Sequence, residues 1–215
     1  MKTNFSILVF VLVSTLLSCK QEVTLAEYKF SDKDMVINCG DKDSKLINEA
    51  LYSFEDDITS FYKNKNNPNG NLPLVYSQFL RNYSGRRINY EELVTPHTLE
   101  VFNVLKTRQD LWDLNSNVSK LNYYGSFFSC IASNVQDKNL KPTLNALLTT
   151  HSMSPRMFTA PLLTQYRAVA NDKYLSAYVA FDLFYAKLFD IDTTKVKERE
   201  EKVDFNQTPK EPNTK

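Results

Sequence analysis

One carboxylate set in an apolar stripe, two histidines and three cysteines are the side chains of this 215-residue chain best placed to do chemistry. Asp182 follows Leu175 and Tyr178 and precedes Tyr185 and Phe189 at heptad-like spacing, where a core side chain belongs. An unpaired buried carboxylate is costly and has its pKa raised. Asp182 therefore needs a partner, and Arg156, Arg167, His151 or a tyrosine hydroxyl can supply one. Perturbed carboxylates mark active sites, but structural pairs perturb them too, and structural pairing is the expected case. His151 continues the face formed by Leu140, Leu144, Leu147 and Leu148, at a helix C-terminus where the dipole favours a charged imidazole. Asp182 and His151 make up the candidate buried polar site. His97, just after Pro96 in a first helical turn, is expected to be exposed.

The remaining polar clusters read as solvated faces. Glu55-Asp56-Asp57 and Glu91-Glu92 are adjacent in helical sequence and point in different directions, without the alternating spacing of a calcium loop. The chain has no Cys/His spacing for zinc or haem, no G-x-S-x-G elbow and no glycine-rich phosphate loop. No catalytic residue, metal ligand or cofactor is assigned. Fourteen Phe and twelve Tyr residues point to an aromatic core, with Tyr123, Tyr124 and Tyr166 as candidates for lining a groove.

The elements that must position these residues are helices. Leu46, Ile47, Ala50, Leu51, Phe54, Ile58, Phe61 and Tyr62 recur at the 3.6-residue period after a cap at Asp43 or Ser44. Leu72 to Tyr83 form a second helix, Asn89 with Glu92 opens a short third, and Thr95-Pro96 starts another. Leu121, Tyr124, Phe128, Ile131 and Val135 step by three and four as a buried seam, and Ser154-Pro155 begins the next element. The stretch from Asp172 to Asp190 is apolar all round and belongs at the centre. Four glycines and no convincing strand alternation predict an all-α fold, a compact bundle of six or seven helices. The expected organisation is 1–18 signal, 19–42 flexible tether, 43–192 helical domain and 193–215 charged, disordered tail.

The N-terminus sets the address. Lys2 precedes an apolar run from Phe5 to Leu17 that is too short to span a bilayer. Leu16-Leu17-Ser18-Cys19 resembles the lipobox of bacterial lipoproteins. The resemblance covers only the export segment. It implies cleavage after Ser18, a diacylglycerol thioether on Cys19 and acylation of the new amine, hence a palmitate-type membrane anchor in the cell envelope, with the outer membrane favoured. Leu17 is larger than usual for its place in the motif. Asp192-Thr193-Thr194 resembles the short O-glycosylation motif of Bacteroidota envelope proteins, which makes Thr193 a candidate sugar site.

With Cys19 lipidated, Cys39 and Cys130 remain in a disulfide-permissive compartment, either bridged or as two buried thiols. The near balance of 26 basic and 25 acidic side chains provides no footprint for nucleic acid and no polybasic membrane patch. The expected function is a non-enzymatic envelope lipoprotein that binds or scaffolds a protein partner. The alternatives are an envelope enzyme with a scattered Asp/Tyr/His site and a carrier of a small apolar ligand.

Overall fold

The i, i+3, i+4 spacing of apolar residues from Leu46 to Ile58 makes a helix whose inner face is fully buried. The computed structural model describes residues 23–40, 43–63 and 71–198, and this helix, α1 (Ser44–Tyr62), is the first element in it. Then come α2 (Leu72–Ser84), α3 (Tyr90–Leu93), α4 (Pro96–Leu105), α5 (Ser126–Asn134), α6 (Leu140–Thr149), α7 (Pro155–Thr164), α8 (Tyr166–Asn171) and α9 (Lys173–Tyr178). Among the described residues there is no strand, only a single bridge between Trp112 and Leu121. The fold is all-α.

Local chemistry explains the starts. Thr95 and Ser154 turn their hydroxyls to the N–H groups of Thr98 and Met157, each with proline at the next position. Asn89 accepts from Glu91 N–H and donates to the Glu92 carboxylate. Among the described residues there are nine α-helices where six or seven helices were expected, because long runs are interrupted. α7 and α8 part at Gln165, and α8 and α9 part at Asp172. Asp172 is a junction, since its carboxylate caps Tyr174 and Leu175 while also accepting from Gln136 and Asp137 N–H.

The stretch expected at the centre is there. α9 passes without a break into a π-helical turn (Val179–Phe184) and then a 3-10 segment (Tyr185–Asp190). From Leu175 to Ala186 every residue is buried. Aromatic rings knit the neighbours to it. Phe54 of α1 meets Tyr76, Phe79 and Phe184 with ring centroids 5.1–5.8 Å apart, and Phe127 lies 4.6 Å from Phe181.

Two expectations about element limits change. Leu121 and Tyr124 do not belong to the α5 seam, because α5 begins only at Ser126 after Gly125. A Cβ on Gly125 would sit 2.4 Å from the Asp110 carbonyl oxygen, so this close approach requires glycine. Leu121 is buried by its bridge to Trp112, and Tyr124 is exposed. Within the segment expected as a free tether, 19–42, residues 23–40 lie against α1, with Leu25 and Ile37 in the core. At the other end, Val196 packs on the core, while the rest of the expected tail from 199 onward lies outside the described residues.

Candidate functional site

Asp182 sits on the π turn and is completely buried. One carboxylate oxygen accepts a hydrogen bond from the Ser119 hydroxyl, and the other accepts from the Tyr123 hydroxyl at 2.8 Å. The Tyr178 hydroxyl, one turn back, stabilises the same carboxylate electrostatically, but it makes no hydrogen bond of ordinary geometry. Of the partners that the sequence offered, the tyrosine hydroxyl is the one used. Arg156, Arg167 and His151 are exposed and take no part.

Burial holds the Asp182 carboxyl above the ordinary carboxylate range. The Ser119, Tyr178 and Tyr123 hydroxyls and the Lys187 charge pull in the opposite direction. Burial and the Asp182 charge together push the Tyr123 and Tyr178 phenols well up, so both stay protonated, and Tyr123 donates to the carboxylate. The tyrosines around the turn satisfy backbone as well. Tyr90 donates to the Leu183 carbonyl at 2.6 Å, and Tyr185 donates to the Ala50 carbonyl of α1 at 3.0 Å.

Ser119 and Tyr123 both belong to the connection between α4 and α5, so Asp182 fixes that connection to the core. The bonds from Asp113 N–H to the Lys120 carbonyl and from Asn122 N–H to the Leu111 carbonyl close its base. Trp112 plugs it inward, its indole N–H on the Leu105 carbonyl at 2.8 Å. Within the tip, Asp113 accepts from Asn115 N–H, Ser116 accepts from Val118 N–H, and the Lys120 ammonium reaches the Leu114 carbonyl. The outcome is an ordered loop that holds Leu114 and Val118 in solvent, 55% and 54% exposed.

His151 does not share the Asp182 site. It is exposed, with a φ of +53°, at the position after the α6 cap where glycine is usual. Its Nδ1 lies 2.9 Å from the hydroxyl of Tyr124, which is itself 72% exposed. The three tyrosines proposed for a groove therefore diverge: Tyr123 turns to Asp182, Tyr124 turns to solvent, and Tyr166 is half-buried beneath the Arg167 guanidinium.

A second polar cluster was not expected. Glu49 of α1 is buried and accepts from the N–H of Lys29 at 2.8 Å and of Phe30 at 3.1 Å, while His97 Nε2 lies 2.7 Å away. His97 is thus half-buried rather than exposed. One helical position earlier, Asn48 accepts from Val36 and Ile37 N–H and donates to the Ile37 carbonyl. Tyr52 donates to the Asp34 carbonyl. The clue in the sequence is that Asn48, Glu49, Tyr52 and Ser53 follow a helical step of their own beside the apolar stripe.

Cys39 and Cys130 are joined as a disulfide, their Cα atoms 5.7 Å apart, which ties the docked segment to α5. Thr193 is exposed in a short 3-10 turn capped by Asp192, accessible to modification. Cys19 lies outside the described residues. Among the described residues no group of His, Cys, Asp and Glu is arranged to hold a metal, and no helix is long and apolar enough to cross a membrane. A crevice between Asp43, Arg108, Asp110 and Phe127 has room for about one water, not for a lipid. No protein-family model, curated protein or solved structure matches the chain.

Proposed function

We propose that the chain is a lipid-anchored, non-enzymatic lipoprotein of the bacterial envelope that binds or scaffolds a protein partner. The observation carrying this reading is the loop between Trp112 and Leu121, which is anchored to a buried carboxylate and presents Leu114 and Val118 to solvent. Preorganised apolar side chains at a fixed position lower the ordering cost of binding. The Asp182 carboxylate supports the same reading, because one oxygen is engaged by Ser119 of the loop, the other by Tyr123 just beyond it, and the group is shielded from solvent.

The test is in-cell photocrosslinking from a benzophenone amino acid placed at position 114 or 118, with position 78 on the exposed side of α2 as control. The expected result is one discrete protein adduct from 114 and 118 and none from 78. Excess unlabelled wild-type protein should compete it away, and the Leu114→Asp, Val118→Asp double variant should not. Adducts equally abundant from all three positions, or none, overturn the binding reading. Mass spectrometry of the mature N-terminus tests the anchor: an unacylated Cys19 overturns it.

A further inference from the structure

We infer that the domain is held directly against the bilayer, with the outer side of residues 23–35 facing the lipid headgroups. The inference rests on the lipid reading of Cys19. Four residue steps separate Cys19 from Val23, and a fully extended chain covers at most about 14 Å in that distance. From Val23 onward the chain is no longer a stalk. Leu25 and Ile37 are buried in the core, and Glu49 and Asn48 hold the N–H groups of Lys29, Phe30, Val36 and Ile37. The disulfide at Cys39 closes the segment. The domain cannot stand off by paying out this stretch without exposing Leu25 and Ile37 and stranding the buried Glu49 carboxylate.

The outward side of the segment suits an interface. Val23 and Met35 are 51% and 67% exposed. The Lys33 ammonium lies over the rings of Phe30 and Tyr52 at 4.8 and 4.7 Å, and Lys29 lies over Phe30 while also pairing with Asp56. Lysine stems that cover apolar surface while their charged heads stay in a polar layer match the headgroup region. Glu27, Asp32 and Asp34 offset the two lysines, so the contact does not depend on anionic lipid.

The experiment uses the full mature lipoprotein in phosphatidylcholine vesicles carrying a headgroup nitroxide. An environment-sensitive fluorophore is placed on Met35→Cys, labelled without reductant. The expected result is loss of emission through quenching in these vesicles, and recovery of emission when ten Gly/Ser residues are inserted between Glu22 and Val23. Flotation with the vesicles and the mass of the N-terminal peptide report the anchor separately. Protein that floats but is not quenched overturns the apposition and leaves the lipid anchor standing. Quenching that survives the insertion overturns the short connection as its cause. Protein that neither floats nor carries acyl chains on Cys19 overturns both readings.

Discussion

Asp182 shows how a single residue can be legible and its role not. Its place on an apolar stripe identifies it as interior and in need of a partner, and both are found. Ser119 could not be anticipated, because it sits in a loop 63 residues away in sequence whose path is set by tertiary contacts. Replacing Asp182 with Asn leaves one of the two loop hydroxyls without a good acceptor and should cost about 1–3 kcal/mol in urea unfolding. The pH dependence has a definite sign. The folded pKa is raised above the ordinary value near 3.8, so the native state binds this proton more tightly than the unfolded chain. That contribution is complete below the ordinary value and is lost as pH rises through the folded one. The stability advantage of wild type over Asp182→Asn is therefore expected to shrink as pH rises from 3.8; an advantage that grows with pH contradicts the assignment. At the other cluster, Glu49→Gln should loosen residues 23–40 selectively, read as faster hydrogen exchange at Lys29 and Phe30 while the α9 amides stay protected.

At the scale of elements, the caps were the most readable signals. Thr95-Pro96, Ser154-Pro155 and Asn89 open helices where their side chains can satisfy free N–H groups, a purely local effect. The stretch before α5 misled for the complementary reason. Leu121, Tyr124 and Phe128 have helical spacing, but Leu121 is buried by a bridge to Trp112 rather than by a helix. Periodicity reports burial and not the geometry that produces it. The π turn was likewise invisible, since an i→i+5 ladder uses the same apolar residues as an α-helix. Gly125→Ala is expected to destabilise by about 1–3 kcal/mol, because the added methyl must displace the Asp110 backbone. Thermal unfolding measures this directly, and a neutral result would show that the loop base yields easily. The face of α1 carrying Asn48, Glu49 and Tyr52 is polar in composition, and the chain folded over it makes it an interior face.

Across the whole molecule, the all-α class and the central position of the last apolar stretch followed from composition and hydrophobicity, while the placement of the N-terminal segment did not. Its polar residues resemble a stalk, and what holds them is a set of side-chain bonds to backbone that no period reveals. The Cys39–Cys130 bridge spans 91 residues. Replacing both cysteines with serine is expected to cost about 2–5 kcal/mol in denaturant unfolding, and Cys39 and Cys130 of the native protein should resist thiol blocking without reductant. If the protein is fastened at Cys19 as proposed, the bridge has a further consequence. A pull from an anchor there would enter at the N-terminus and could peel residues 23–38 away from α1 in sequence. At Cys39 the load leaves the main chain, crosses to Cys130 and is taken up by α5. The unzipping stops there, and α1 and the central stretch beneath it are shielded from tension that would otherwise open the domain from one end.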